Sequence, residues 1–277
     1  MQATPRLLYK SFWGRSVDEL KRLTNIAVNF EGVKGPQGPR ELHSFHTEEG
    51  IQDCKVMSDV DIGGYSKAHL DFIQSSSSPQ TAAAQTTKTT PTAYARFHGT
   101  ISTQLPKNRP EIQRSGYAGW RTRDRPPTIF GRSLWDIDPY AYLAMRVKSD
   151  GRAYLVNIQT DSIVSTDLHQ HRLFTTKPGE WETVLIKWND FVRTNMGYVV
   201  EPQTEMLRQK VKSIGVSLTD RVPGPFELCI ERIWATNDTS EADSVSQGPA
   251  LTDETSTGGT GGKLLTKKGE SVGWGKV

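Results

Sequence analysis

The sequence is poor in three features that would each have indicated a class of protein. It has only two cysteines, Cys54 and Cys229, among 277 residues, which is too few for the disulfide framework of a small secreted domain. No apolar run approaches the roughly 18 residues that a membrane-spanning helix requires. The formal net charge is +3, whereas a nucleic-acid-binding domain is strongly basic. We therefore expect two reduced thiols, no transmembrane segment and no nucleic-acid partner.

Recognisable catalytic motifs are also missing. The chain has no nucleophile elbow, no glycine-rich phosphate loop ending in Lys-Ser/Thr and no cysteine-pair metal site. Asp167, His169 and His171 alternate, so a strand would project them on one face, where two imidazoles and a carboxylate are possible zinc ligands. No further ligand at a suitable spacing is visible, and we favour a polar strand face. Carboxylate pairs that meet only in three dimensions stay open. We predict no enzyme activity, no cofactor and no metal.

Apolar residues alternate with polar ones through most of residues 94–237. Short strands joined by Gly- and Pro-containing turns indicate a sandwich or a barrel, and the absence of intervening long helices argues against a doubly wound sheet. Asp150-Gly151 predicts a hairpin turn between two of the strands. The positions that we expect in the core are Leu143, Met145, Val147, Tyr154, Val156, Ile158, Val184, Ile186, Trp188, Ile214, Val216, Leu218, Phe226, Leu228 and Ile230.

Composition divides the chain into three regions. Residues 1–40 hold a basic segment and an amphipathic helix, and residues 41–238 form the β-domain. Within that domain, residues 75–92 are a Ser/Thr/Ala-rich insertion that lacks large apolar groups and is predicted to be disordered. Residues 239–277 are rich in Ser, Thr and Gly and are predicted to be a flexible tail.

The predicted helix has a capping box, with Ser16 at the N-cap and Glu19 three residues later. Its apolar residues recur at near-helical spacing, which predicts that one face packs on the β-domain. These residues are Val17, Leu20, Leu23 and Ala27.

The most informative segment is 58–66, Ser-Asp-Val-Asp-Ile-Gly-Gly-Tyr-Ser. Asp59 precedes the pair Gly63-Gly64 by four positions, and Ser66 follows the pair. Adjacent glycines mark a backbone that bends sharply or is approached closely by another segment. We interpret Asp59, Gly63, Gly64 and Ser66 as a structural motif, together with Asp150 and Gly151 of the predicted turn.

A candidate binding surface comes from the alternation of Arg121, Arg123 and Arg125 beside Trp120. Arginine and tryptophan are enriched where proteins bind other proteins, so we nominate these four residues as partner-binding; a solvated sheet face is the alternative. The sequence leaves Trp120 undecided between surface and core. Alternation with Val and Ile favours the core for Trp181 and Trp188.

Taken together, these segments resemble a known family. Residues 58–66 are similar to its Ser-Asp-x-x-x-Gly-Gly-x-Ser signature, and residues 95–101 and 116–121 resemble the two strands that follow it. Residues 146–154 resemble its Asp-Gly-Arg turn. The family is that of the complex I intermediate-associated protein, the thirty-kilodalton assembly factor of mitochondrial NADH:ubiquinone oxidoreductase.

The resemblance implies an all-β fold, a jelly-roll β-sandwich similar to galactose-binding domains. It further implies a non-enzymatic assembly chaperone in the mitochondrial matrix. Its expected partners are membrane-arm intermediates of complex I and other assembly factors, through which any association with the inner membrane would occur. A carbohydrate-binding module, which would show coplanar exposed aromatic rings, is the alternative function. A hydrolase with dispersed carboxylates is a more distant one.

Overall fold

The computed structural model describes residues 11–29, 35–36, 38–74, 91–106, 109–110, 112 and 114–246, which form two β-sheets and one longer helix. The helices are α1 (Phe12–Val28) and the short α2 (Glu49–Gln52). The first sheet contains β1 (Arg40–Ser44), β3 (Lys67–Gln74), β4 (Ala93–Ile101), β6 (Tyr142–Ser149), β9 (Trp181–Lys187), β13 (Gly224–Thr236) and β14 (Ser244–Ser246). The second contains β2 (Cys54–Ser58), β5 (Ala118–Thr122), β7 (Tyr154–Thr160), β8 (Asp167–Arg172), β10 (Val192–Asn195), β11 (Tyr198–Val199) and β12 (Val211–Leu218).

Strand β13 organises the first sheet, whose order is β14-β9-β6-β13-β4-β3. One edge of β13 pairs with β6, and the other pairs first with β4 and then with β1. The second sheet has the order β11-β10-β8-β7-β12-β5-β2. All pairs are antiparallel except β14 with β9, which is parallel.

The core lies between the sheets and is built from the alternate residues of both. All fifteen predicted core positions are buried, because a strand of a sandwich turns every second side chain inward. The predicted all-β jelly-roll sandwich is therefore confirmed. Trp181 is a correction: it lies on the outer face of the first sheet, half-buried, with its ring edge-on to Tyr94 at 5.2 Å.

The predicted hairpin at Asp150-Gly151 is wrong, because β6 and β7 belong to different sheets. The turn instead carries the chain across the sandwich. Gly151 has φ 89°, which favours glycine. Asp150 accepts hydrogen bonds from the amide of Glu227 at 2.8 Å and the hydroxyl of Tyr154 at 3.1 Å. The carboxylate thus fixes the crossing to β13 on one side and β7 on the other.

Asp59 holds together the segment that the signature motif occupies. Its side chain is buried and accepts hydrogen bonds from the amide of Ser66 (2.7 Å), the hydroxyl of Ser66 (2.8 Å) and the amide of Gly116 (2.7 Å). The Ser66 hydroxyl in turn accepts from the amide of Ser102 at 3.0 Å. One carboxylate therefore connects the chain after β2 to the segments flanking β3, β4 and β5, and burial strengthens each of these bonds.

The two glycines of the motif serve that carboxylate in different ways. Gly63 ends a single 3-10 turn in the left-handed region, with φ 93°. At Gly64 a Cβ atom would lie 2.4 Å from the Asp59 Cγ atom. Gly64 is thus required by close approach, whereas Gly63 is required by backbone conformation.

Helix α1 begins earlier than the sequence predicts. Its N-cap is Ser11, whose hydroxyl accepts from the amide of Gly14 at 3.2 Å. Ser16 lies inside the helix, where its hydroxyl donates to the carbonyl of Phe12 and accepts from the amide of Ile129. The capping-box prediction is wrong because Ser16 serves a tertiary contact.

The predicted C-terminal boundary at residue 238 also shifts. Residues 239–246 lie on the first sheet, where β14 extends its edge and Ala242 packs against Trp234. Asp243 reaches the guanidinium of Arg146 at 3.0 Å. Residues 247–277 of the predicted tail, residues 75–90 of the predicted insertion and residues 1–10 lie outside the described residues.

We expect Gly64→Ala to destabilise the protein by about 2 kcal/mol or more, because overpacking a buried site typically costs about 1–3 kcal/mol. Urea unfolding followed by circular dichroism measures this. Gly38→Ala is the matched control, since a Cβ there meets nothing within 4 Å and its effect should stay within about 0.5 kcal/mol. Equal midpoints for the two variants would contradict the clamp geometry.

Candidate functional site

The four residues nominated from the sequence do not form one surface. Trp120 is 1% exposed and packs edge-on against Phe45, with ring centroids 5.4 Å apart. It is a core residue, and the structure removes it from the predicted partner-binding set. Its inward position follows from the pairing of β5 with β12, which places it opposite Val216.

The three arginines separate because β5 ends at Thr122, so the alternation does not continue through one strand. Arg121 pairs with Asp124 at 3.1 Å. Arg123 donates to the carbonyl of Gln52 at 3.1 Å, and Arg125 lies over the Trp135 ring at 5.3 Å. Partner binding by these residues stays a prediction.

Arg123 and Arg125 line the same cavity, which has a volume of about 680 Å³. It lies between β1, α2 and the segment that follows β5, and Trp135, Leu42 and His43 also line it. The charged residues of its lining are of both signs, and they are Arg15, Glu41, Glu49, Asp53, Arg123, Asp124 and Arg125.

The titratable groups nearest this cavity are not set up for covalent chemistry. Burial raises the pKa of the Cys54 thiol to about 12, and the thiol donates to the carbonyl of Gly50 at 3.3 Å. Burial also lowers the pKa of His43, although its hydrogen bond to Gly50 opposes the shift. At neutral pH the site therefore offers a protonated thiol and a neutral imidazole. Since the thiolate is the nucleophile, Cys54 is not activated for nucleophilic attack.

Helix α1 lies beside the cavity and contacts the domain through polar residues. The residues closest to the domain are polar: Ser16 is buried, and Arg15 donates to the carbonyl of Pro127 at 3.4 Å. The apolar residues point to solvent instead, with Trp13 exposed by 70% and Leu20 by 52%. The predicted packing of α1 on the β-domain is therefore made by Arg15 and Ser16, whereas the apolar residues that predicted it stay largely exposed.

The loop at 128–131 extends this apolar surface. Thr128 and Gly131 form a tight backbone bridge, and the Ile129 amide between them donates to the Ser16 hydroxyl at 3.1 Å. Ile129 and Phe130 are both about half exposed. We call the combined surface the apolar ridge, and its residues are Phe12, Trp13, Val17, Leu20, Leu23, Val28, Ile129 and Phe130.

The Asp167, His169 and His171 side chains all point into the sandwich, as their alternation predicts. Asp167 is paired with Arg193 at 2.9 Å, and neither ring nitrogen of His169 has a hydrogen-bond partner. His171 packs against Phe191 with ring centroids 5.6 Å apart. Within the described ranges, no group of three His, Cys, Asp or Glu side chains is arranged to hold a metal ion.

Sequence reasoning missed the apolar ridge, and the signal that could have found it was ambiguous. The periodicity of α1 correctly predicts an apolar face, but periodicity does not say whether that face meets the domain or solvent. Ser16, a polar residue near the start of the helix, has the sequence pattern of a cap, but in the structure it contacts the domain.

Residues 43–230 match the family described as Complex I intermediate-associated protein 30. The chain belongs to this family. A relative from Neurospora crassa, "Complex I intermediate-associated protein 30, mitochondrial", is 59% identical over 278 residues, covering 98% of this chain and 96% of the relative. The Mus musculus relative of the same name is 28% identical over 250 residues, covering 85% of this chain and 70% of its own length.

Among solved structures, a family 11 carbohydrate-binding module from Clostridium thermocellum, in complex with a mixed-linked tetrasaccharide, aligns with a TM-score of 0.47. The two are 16% identical, and the alignment covers 72% of this chain and 96% of the module. A likeness at this level gives no information about a ligand.

Among the described residues, the tryptophans do not form the exposed coplanar pair expected of a carbohydrate-binding module. Trp13 is exposed but meets Phe12 edge-on, with the ring planes 77° apart, and Trp234 is buried. Trp120, Trp135 and Trp188 are buried, and Trp181 is half-buried against Tyr94. Neither helix that the structure describes is long and apolar enough to cross a membrane.

We expect the free energy of unfolding to fall as the pH drops from 7.5 to 5. Burial lowers the pKa of His43, His169 and His171 in the folded chain, whereas in the unfolded chain it is about 6.5. Below about pH 6.5 the unfolded state therefore takes up protons that the folded state does not. The contribution of the neutral histidines to the free energy of unfolding is complete above that pH and is lost as the pH falls towards their folded-state pKa values. Urea unfolding at half-unit pH intervals measures the slope.

The matched variant for this prediction is His169→Leu. Removing one of the three buried imidazoles should make the pH dependence shallower between pH 7 and 5, because one proton-uptake site is lost from the unfolded state. Identical slopes in the two proteins would show that His169 does not contribute.

Proposed function

We propose that this chain is a non-enzymatic assembly factor of mitochondrial complex I, which binds membrane-arm intermediates and is absent from the finished enzyme. Family membership supports the general role. The observation that carries the binding proposal is the apolar ridge, because eight large apolar side chains of one helix and the adjoining loop are left exposed, and exposed apolar surface of this kind typically marks an interaction site. The mixed-charge cavity beside it supplies polar contacts that orient a partner.

The energetics of the ridge favour a reversible contact. Fully burying one large apolar side chain contributes about 1.5–3 kcal/mol. Side chains such as Trp13 and Leu20 already have part of their surface covered, so docking four of them gives on the order of 3–5 kcal/mol. The loss of translational and rotational freedom, about 4–15 kcal/mol, offsets that gain. The ridge therefore holds a partner only together with polar contacts, and such an interface is suited to release once assembly proceeds.

The non-enzymatic part of the proposal is supported by the state of the potential nucleophiles. Burial raises the pKa of the Cys229 thiol to about 11, as it does for Cys54. Both cysteines are buried and unpaired with each other. A catalytic cysteine has the opposite tendency, a lowered pKa in an accessible position.

The location that we propose is the mitochondrial matrix, with membrane attachment through the bound intermediate. Protease treatment of intact mitochondria and of mitoplasts distinguishes the compartments. Degradation of the protein in mitoplasts before the inner membrane is opened would contradict a matrix location.

We expect Leu20→Gln/Leu23→Gln to weaken recovery of complex I intermediates at least tenfold, because two apolar contacts of the ridge are replaced by polar groups. The tagged protein is purified from mitochondria, resolved on native gels and analysed by mass spectrometry. Glutamine retains a helix propensity close to that of leucine, and both positions are exposed, so the fold should be unchanged.

Asn25→Gln, a change at an exposed polar position of the same helix, is the matched control and should leave recovery unchanged. Equal recovery by the double variant and the control would refute docking through the ridge. Normal complex I levels in a strain without the gene would refute the assembly role itself.

A further inference from the structure

The outer face of the second sheet carries an ordered row of side-chain amides and hydroxyls that crosses the strands. The Thr194 hydroxyl donates to the Gln170 Oε1 atom at 2.8 Å, and the Gln170 amide donates to the Asn157 Oδ1 atom at 2.7 Å. Asn157 then donates to the Ser217 hydroxyl at 2.8 Å. The row spans the four adjacent strands β10, β8, β7 and β12. Each bond fixes the orientation of the next group.

Gln170, Asn157 and Ser217 also line a cavity of about 450 Å³, which we call the polar trough. Each amide in the row has a second N–H, and the hydroxyl of Ser217 retains a donor. Neighbouring strands lie about 4.8 Å apart, so these three groups cover about 10 Å, the length of about three residues of an extended chain. The trough therefore presents pre-oriented donors and acceptors at a spacing that suits a short extended segment.

The rim of the trough is cationic. Arg114 lies over the Tyr198 ring at 5.0 Å, on the β11 side, and Arg221 belongs to the turn after β12. Neither guanidinium forms an ion pair with a carboxylate in the part of the chain that the structure describes. Asp59 is the acidic residue of the described lining, and its oxygens are occupied by Ser66 and Gly116.

Backbone strain is concentrated at the same place. Within the described ranges, Met196 (φ 50°) and Arg221 (φ 57°) are the non-glycine residues in the left-handed region, and both line the trough. Such conformations cost about 1–3 kcal/mol each and cluster at binding sites. Here the left-handed backbone fixes the positions of the Arg221 guanidinium at the rim and of the exposed Met196 side chain.

We propose that the polar trough binds an extended acidic peptide segment. The peptide backbone supplies amide and carbonyl groups for the row, and its carboxylates pair with Arg114 and Arg221 in the fork geometry that guanidinium favours. A saccharide fits less well, since Tyr117 is the one aromatic ring in the described lining, and its hydroxyl lies against Gly119. The residues of the apolar ridge take no part in the trough, so this site does not depend on the proposed docking of complex I intermediates.

The test is selection of random dodecapeptides, displayed on phage, by the immobilised full-length chain. Enriched sequences are synthesised and their affinities measured by fluorescence anisotropy. We expect them to contain at least two Asp or Glu residues and to bind more weakly as NaCl rises from 50 to 500 mM. Arg114→Gln/Arg221→Gln should weaken binding at least tenfold, and Asn157→Ala at least threefold.

Lys177→Gln/Arg232→Gln removes the same charge from positions outside the trough and should change affinity less than twofold. The wild-type salt series reports on the charge contribution even without variants. The proposal is overturned by the absence of any enriched sequence, by enriched sequences without carboxylates, or by equal binding to the two double variants. Displacement of the peptides by an oligosaccharide that binds through Asn157 would overturn it in favour of a carbohydrate ligand.

Discussion

The buried carboxylate of Asp59 is the contact on which the arrangement of this sandwich depends. A charge inside a protein is tolerated only when hydrogen bonds replace its water. Here two backbone amides and one hydroxyl replace that water, and they come from Ser66 of the same motif and from Gly116, which is 57 residues beyond Asp59 along the chain. The same requirement explains why Gly64 has no side chain and why Ser66 has a hydroxyl. Residues 58–66 thus form a structural clamp, and the polar trough begins at its outer side.

The fold could be predicted from the sequence because the inward positions of the strands alternate without interruption, as Leu143, Met145 and Val147 do. The predictions that failed concern features that depend on neighbours in three dimensions. Asp150-Gly151 has the composition of a hairpin turn, but the partners of Asp150 lie on β7 and β13. The arginines next to Trp120 alternate as they would in a strand, but β5 ends before the second arginine. Residues 239–246 have the composition of a tail, yet Asp243 is placed by the buried Arg146.

The candidate sites were harder to predict than the fold for the same physical reason. A hydrophobic face of a helix looks the same in sequence whether it covers a core or faces solvent, and Ser16 decides the matter only through its bond to Ile129. The polar trough has no signal in the sequence, because its polar residues belong to three separate strands. Only the register of those strands places Asn157, Gln170 and Ser217 side by side. Arg123 and Arg125 do not continue strand β5 as the alternation predicts, yet both line one cavity, which the sequence does not show.

The central position of β13 has a consequence for the order in which the chain acquires its structure. This strand, residues 224–236, lies between β4 and β6, and both of these precede it by many residues in the chain. Until it arrives, β3–β4 and β6–β9 are separate antiparallel pairs whose inner edges have no partner. Closure of the first sheet therefore waits for contacts of high sequence separation, and such contacts slow folding. Unpaired edges in that interval favour aggregation, so the chain is most exposed to aggregation before its last long strand is in place.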